Sequence, residues 1–154
     1  MVVATEKFSS EKHLELALSY FLELAFKSMS QDINIVPFVG DDGKKKKIKV
    51  SYPSIQIGSD PFKEHSVGAG FGQIVSRINV RTSAVDDPAR AILDYIFELV
   101  RKTIAEKMIG ITINDVLTVQ GFQEPEEMGI GEDPEIDIFE KGIVYTFAVE
   151  LVEN

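Results

Sequence analysis

Residues 142–152 alternate more strictly than any other part of the chain. Ile143, Tyr145, Phe147, Val149 and Leu151 fall on one parity, and Val144, Thr146, Ala148, Glu150 and Val152 on the other. Successive side chains of a strand point to opposite faces, so a period of two over this length commits the stretch to a sheet. Residues 73–82 repeat the pattern. Ile74, Ser76, Ile78 and Val80 share one side, and Val75, Arg77, Asn79 and Arg81 share the other. Two arginines on one strand face predict that this face is turned away from the core.

Two stretches instead follow a helical period. Residues 10–29 are predicted to be a helix capped by Ser9 or Ser10, because a serine hydroxyl accepts from free N–H groups of the first turn. Glu11, Glu15, Ser19, Glu23 and Lys27 form one narrow polar stripe, and nearly everything else is apolar. A helix at the edge of a core needs less greasy surface than this. The helix is therefore either sandwiched between a sheet and a second helix, or turned in part toward another subunit. Residues 83–108 read as the second helix, with Asp87 or Ser83 as cap and Pro88 in the first turn. Its apolar stripe is Ile92, Leu93, Ile96, Phe97, Val100 and Ile104, and Gly110 marks its end.

The remaining segments are shorter. Residues 32–39 look like a strand, and Asp42-Gly43 signals a hairpin turn. The return arm alternates Ile48, Val50 and Tyr52 with Lys47, Lys49 and Ser51, which makes residues 40–50 a basic hairpin arm. "SIQIG" continues as a short strand with Ile55 and Ile57 inward, and 58–72 reads as a long loop. "ITINDVLTVQGF" is expected to be extended. Residues 121–138 read as an exposed acidic loop, with seven carboxylates between Glu124 and Asp137 punctuated by Gly and Pro. The order helix, hairpin, two strands, helix, two strands predicts an α+β fold: an antiparallel or mixed sheet with both helices on one face and a protruding hairpin. The other face would carry Arg77, Arg81, Lys47 and Lys49.

Composition narrows the function. A length of 154 residues favours one domain. With 25 acidic and 16 basic side chains the net charge is -9, which argues against a surface built to bind nucleic acid, although a local basic patch remains possible. There is no cysteine, hence no disulfide or thiolate metal site. No run of about 18 apolar residues predicts a membrane span, and "MVVATEKFSS" lacks the pattern of a secretory signal.

Candidate chemistry is sparse. "GAGFG" at Gly68–Gly72 precedes a strand, whereas a phosphate cradle needs a helix N-terminus behind it. His13 and His65 belong to no paired-ligand motif, and Asp60 with Glu64 and His65 reads as solvated loop. Asp133, Glu135 and Asp137 imitate the start of a calcium loop, but Ile138 and Val144 stand where glycine and glutamate are required. No catalytic, cofactor or metal residue is assigned, and an enzyme would need a deep pocket joining Arg77, Arg81 and carboxylates. The candidate assembly contacts are Lys44, Lys45, Lys46, Lys47, Lys49, Arg77 and Arg81 on the basic side, and Glu124, Glu126, Glu127, Glu132 and Asp133 on the acidic side. Protrusions of opposite charge on opposite flanks would join copies head to tail, and such contacts generate rings when the rotation closes. The lysines equally suit a solvated tip that protects an edge strand.

The patterning from "YPSIQIG", through the long loop and "IVSRINVRTSAVDDPARAILDYIFELV", to "EKGIVYTFAVEL" resembles the tail terminator (tail-completion) proteins of long-tailed bacteriophages. The resemblance spans roughly residues 10–152 in order and carries no matched site residue. It implies a non-enzymatic virion protein of the tail or neck, assembled in the host cytoplasm. The expected form is a hexameric ring that meets tail tube, sheath and neck proteins, with DNA passing through its lumen. Another neck, connector or baseplate subunit, or a non-viral binding or accessory protein, fits the same physics.

Overall fold

The computed structural model describes residues 9–27, 34–37, 53–66, 68–133 and 137–152. The two strictly alternating stretches form its centre. Strand β4 (Phe71–Ser83) pairs antiparallel with β9 (Ile138–Leu151) along its whole length, from Phe71 opposite Glu150 to Ser83 opposite Ile138. Ile74, Ile78 and Val80 thereby share a face with Ile143, Tyr145 and Phe147, and all are buried.

Four further strands complete the main order β1-β2-β4-β9-β6-β5. Strand β2 (Ser54–Ser59) lies antiparallel beside β4 and buries Ile55 and Ile57 as expected. Strand β1 (Asn34–Pro37) pairs parallel with β2, so the sheet is mixed, and Pro37 stands on its outermost strand. The expected hairpin at residues 40–50 lies outside the described residues. The long loop before β4 is partly strand: β3 (Lys63–Glu64) folds back on Gly72 and Gln73. A Cβ at Gly72 would lie 2.0 Å from the Lys63 carbonyl oxygen, so the glycine permits that approach.

The far edge of β9 corrects the expectation of an acidic loop at 121–138. Strands β6 (Leu117–Phe122), β7 (Glu126–Glu127) and β8 (Gly131–Asp133) pair in succession with the end, middle and start of β9. The reason is hydrogen bonding: β9 is too long to leave its second edge unpaired. Glutamates tolerate an edge strand because one side stays wet, while Pro125 and Gly129 break it into pieces. The "ITINDVLTVQGF" stretch is extended as expected, apart from a turn in its middle. It folds as a hairpin between β5 (Thr112–Ile113) and β6, turning at Asn114 (φ 49°) and Asp115 (φ 56°). Positive φ at both central residues is the type I′ geometry that matches strand twist.

Helix α1 (Ser10–Phe26) and α2 (Ala91–Lys107) lie over the apolar face. Ser9 caps α1, its side chain accepting from Lys12 N. The N-terminus of α2 differs from expectation. Arg90, in the left-handed region (φ 59°), holds the cap position without a side-chain bond. Asp87, set one turn back by Pro88, nevertheless accepts from both Ile92 N (2.9 Å) and Leu93 N (3.0 Å). Leu14, Leu18, Leu22 and Phe26 from α1 meet Leu93, Phe97, Val100 and Ile104 from α2 in one core with the sheet.

Candidate functional site

The sheet face away from the helices carries the arginines. Arg77 and Arg81 point outward from β4, as their parity requires, and each meets a carboxylate, one just past the end of β2 and one on β9. Arg77 makes a two-pronged contact with Asp60, at 2.6 Å and 3.1 Å. That hydrogen bond outweighs the slight desolvation of the pair, holding the Asp60 carboxyl below its ordinary value and raising the Arg77 guanidinium. Arg81 Nε donates to Glu140 Oε2 at 2.5 Å, directly across the β4–β9 ladder.

Between the arginines, Asn79 faces Gly142. A side chain at Gly142 would place its Cβ 2.6 Å from Asn79 Oδ1, so the glycine keeps the floor open. The Met128–Gly131 segment crosses above, anchored by Met128 N donating to the Gly142 carbonyl (2.8 Å). The result is a cavity of about 540 Å³ lined by Arg77, Asn79, Arg81, Met128, Glu140 and Val144, among others. It joins Arg77 and Arg81 with the carboxylate of Glu140, the combination an enzyme would need. Both guanidiniums are spoken for by carboxylates, and guanidinium does not give up a proton at neutral pH. Among the described residues, no histidine or hydroxyl nucleophile lines the cavity.

The acidic residues line the edge of β9 rather than gather in one loop. Glu127 accepts from Arg101 of α2 at 2.5 Å, while Glu124 and Glu126 are exposed. Glu132 and Asp133 stand in β8 opposite Phe139 and Ile138. Asp133 is thus the last residue of a strand. Between β7 and β8 the chain exposes two large apolar side chains, Met128 (52%) and Ile130 (42%). Among the described residues no three potential ligands gather as a metal site.

Lys44, Lys45, Lys46, Lys47 and Lys49 lie outside the described residues. Of the remaining sequence candidates, the structure brings Arg77 and Arg81 into one cavity and strings the five acidic residues along one edge. His13 is buried, with Nδ1 3.0 Å from Asn114 Nδ2, and His65 is exposed against the Phe71 ring. Gly68 and Gly70 take positive φ in the β3–β4 turn, and a strand follows them.

Helix α1 carries the surface that parity alone does not assign. Two members of its polar stripe are used inward: Glu15 accepts from Ser59 N (2.8 Å) and Glu11 from Phe62 N (3.4 Å), at and just past the end of β2, while Glu23 and Lys27 of the same stripe are exposed. The adjacent stripe faces solvent too, and it is apolar. Leu16 (45% exposed), Tyr20 (58%) and Leu24 (48%) recur every fourth residue. A groove of about 370 Å³ separates this stripe from β5, lined by Leu16, Tyr20, Phe21, Ile111 and Ile113 among others. A second, of about 360 Å³, lies between α1 and α2, with Phe21, Leu24, Leu99 and Thr103 inside and Lys102, Glu106 and Lys107 on its walls. The sequence signal for the stripe was its four-residue spacing, offset by one from the glutamates.

In comparisons with known proteins, no family model and no curated protein matches the chain.

Proposed function

We propose that this chain is a structural subunit that assembles with copies of itself, resembling the phage tail terminators in the order of its elements. The observation that carries the assembly half of this reading is the α1 stripe. Half-exposed Leu16, Tyr20 and Leu24 lie beside two grooves on the helical side, and a contiguous apolar surface of this kind suits contact with protein. The phage half rests on patterning. In this reading six copies close a ring that caps the tail tube, meets sheath and neck proteins, and passes DNA through its lumen within the virion. Lys44–Lys47 contact an acidic neighbour. The subunit binds and positions, with no catalysis of its own.

Electron microscopy of the purified protein, with light scattering at low and high salt, tests the reading. Rings with a hole wide enough for a DNA duplex support it. A strict monomer at both salt concentrations removes it.

The cavity at Arg77 and Arg81 favours a second reading, a pocket for a small anionic ligand with an apolar portion. Such a ligand must displace Asp60 or Glu140 from its guanidinium. Titration with small carboxylates and phosphates, followed through the arginine side-chain NMR signals, decides it: unmoved signals eliminate the pocket.

A further inference from the structure

The α1–α2 groove and the Met128–Ile130 segment have complementary surfaces. The groove is apolar within, at Phe21, Leu24 and Leu99, and its walls carry Lys102 and Lys107 against a single acid, Glu106. The segment exposes Ile130, and Met128 at the mouth of the arginine cavity, preceded by the exposed carboxylates Glu124 and Glu126. Glu127, next to them, is already engaged by Arg101 within the same subunit. That contact also separates the two surfaces. Arg101 turns toward the β7 edge, while Lys102 turns toward α1, so segment and groove occupy different flanks of α2.

We propose that the α1–α2 groove receives the Met128–Ile130 segment of a second copy of this chain. The apolar side chains enter between Leu24 and Leu99, and Glu126 meets Lys102 or Lys107 at the rim. Two different surfaces of one subunit make the contact, so it is heterologous. Each copy offers a free groove at one end and a free segment at the other, which propagates into a ring when the rotation closes. The groove's 360 Å³ is near the lower limit of a ligand pocket, a size that suits inserted side chains better than an enclosed small molecule. Apolar anchors surrounded by a charged rim are also the usual layout of a protein contact. The inference rests on the self-assembly reading and names the two halves of its interface. It also assigns the acidic edge a partner on α2, where the sequence offered Lys44–Lys47, Lys49, Arg77 and Arg81.

The test uses two variants of the full chain, each altered at an exposed site so that folding survives. Leu24→Glu disables the groove, and Met128→Glu with Ile130→Ser disables the segment. Circular dichroism and urea titration check that both fold. Native mass spectrometry across a concentration series then reads the assembly. Each variant alone should lose the oligomer, with association weakened at least ~30-fold, as expected when a central anchor is removed. Mixed in equal amounts, they should form a discrete heterodimer, because one intact groove still meets one intact segment. Lys102→Glu with Lys107→Glu should weaken assembly, and Glu126→Lys in the same chain should restore part of it. An oligomeric wild type with both variants unchanged overturns this interface and leaves self-assembly standing. Dissociated variants that do not pair with each other also overturn it, in favour of a symmetric contact. A wild type that is monomeric at every concentration overturns the underlying reading as well.

Discussion

Replacing Asp87 with alanine should remove more stability than any other single polar substitution in the described part of the chain. Asp87 is 4% exposed, and its two carboxylate oxygens take separate backbone donors, Ile92 N at 2.9 Å and Leu93 N at 3.0 Å. These are orphan donors of the first turn of α2, and the carboxylate also sits at the positive end of the helix. Loss of a cap costs about 1 kcal/mol, and leaving a buried donor unpaired costs about 1–3 kcal/mol. Leu93 is fully buried, so water cannot replace its partner, whereas half-buried Ile92 can recruit water. The sum is about 3 kcal/mol, a large fraction of the roughly 5–15 kcal/mol available to a domain. Asp87→Asn keeps one acceptor and loses the charge, so it should cost about 1 kcal/mol. Urea denaturation followed by circular dichroism at fixed protein concentration measures both, since assembly would otherwise shift the midpoint. An alanine variant within 0.5 kcal/mol of wild type, or an asparagine variant as damaged as alanine, would refute the reasoning.

Four further outcomes follow from the same structure. Burial pushes the Tyr145 phenol from its ordinary value of 10 up to about 12, with Glu127 and Glu98 adding to the rise and Arg101 opposing it. Stability from this residue is complete below pH 10 and is lost as pH rises toward 12, by up to about 2–3 kcal/mol. The difference between wild type and Tyr145→Phe in alkaline urea titrations isolates that loss. Asp115→Gly relieves a left-handed turn residue (φ 56°) and should raise stability by about 0.5–1 kcal/mol, read as a higher urea midpoint. Thr82→Val removes a buried hydroxyl that has no partner, and should stabilise by about 1 kcal/mol in the same assay. Gly72→Ala drives a Cβ to 2.0 Å from the Lys63 carbonyl oxygen, and should abolish amide protection in β3 while leaving the core of β4 and β9 protected in hydrogen exchange.

The legible parts of the fold are those with a period. Alternation in 73–82 and 142–152 fixed which side chains face the helices, and with it the common outward face of Arg77 and Arg81. The carboxylates that meet these arginines were not legible. Asp60 and Glu140 are 17 and 59 residues distant, and only strand register brings them there. The parallel β1–β2 pairing is hidden for the same reason. The acidic edge strands lack alternation because Pro125 and Gly129 interrupt them and their outer side needs no apolar partner. The β5–β6 turn escaped notice because Asn114-Asp115 has no glycine, although both residue types tolerate positive φ. For α1 the period disclosed two stripes but not their direction. Glutamate is usually assigned to water, yet Glu11 and Glu15 close backbone donors at and just past the end of β2, and that use turns Leu16, Tyr20 and Leu24 outward.

This arrangement sets two electrostatic effects against each other when copies meet. A net charge of -9 makes subunits repel, and that repulsion acts over distance. It is screened beyond a Debye length of about 10 Å at 0.1 M salt. The rim contacts between Glu126 and Lys102 or Lys107 act only within a few ångströms and are exposed, so each is worth about 0–1 kcal/mol. Apolar anchors contribute more: burying a large side chain is worth about 1.5–3 kcal/mol, reduced here because Met128, Ile130 and Leu24 are already about half covered. The apolar term must therefore dominate the contact, with charge choosing the orientation. Added salt should then strengthen association, because it weakens the long-range repulsion more than it weakens the short rim pairs. Two basic and acidic protrusions attracting across solvent would give the opposite sign, so the direction of the salt dependence separates an interface built on α1 and α2 from one built on Lys44–Lys47.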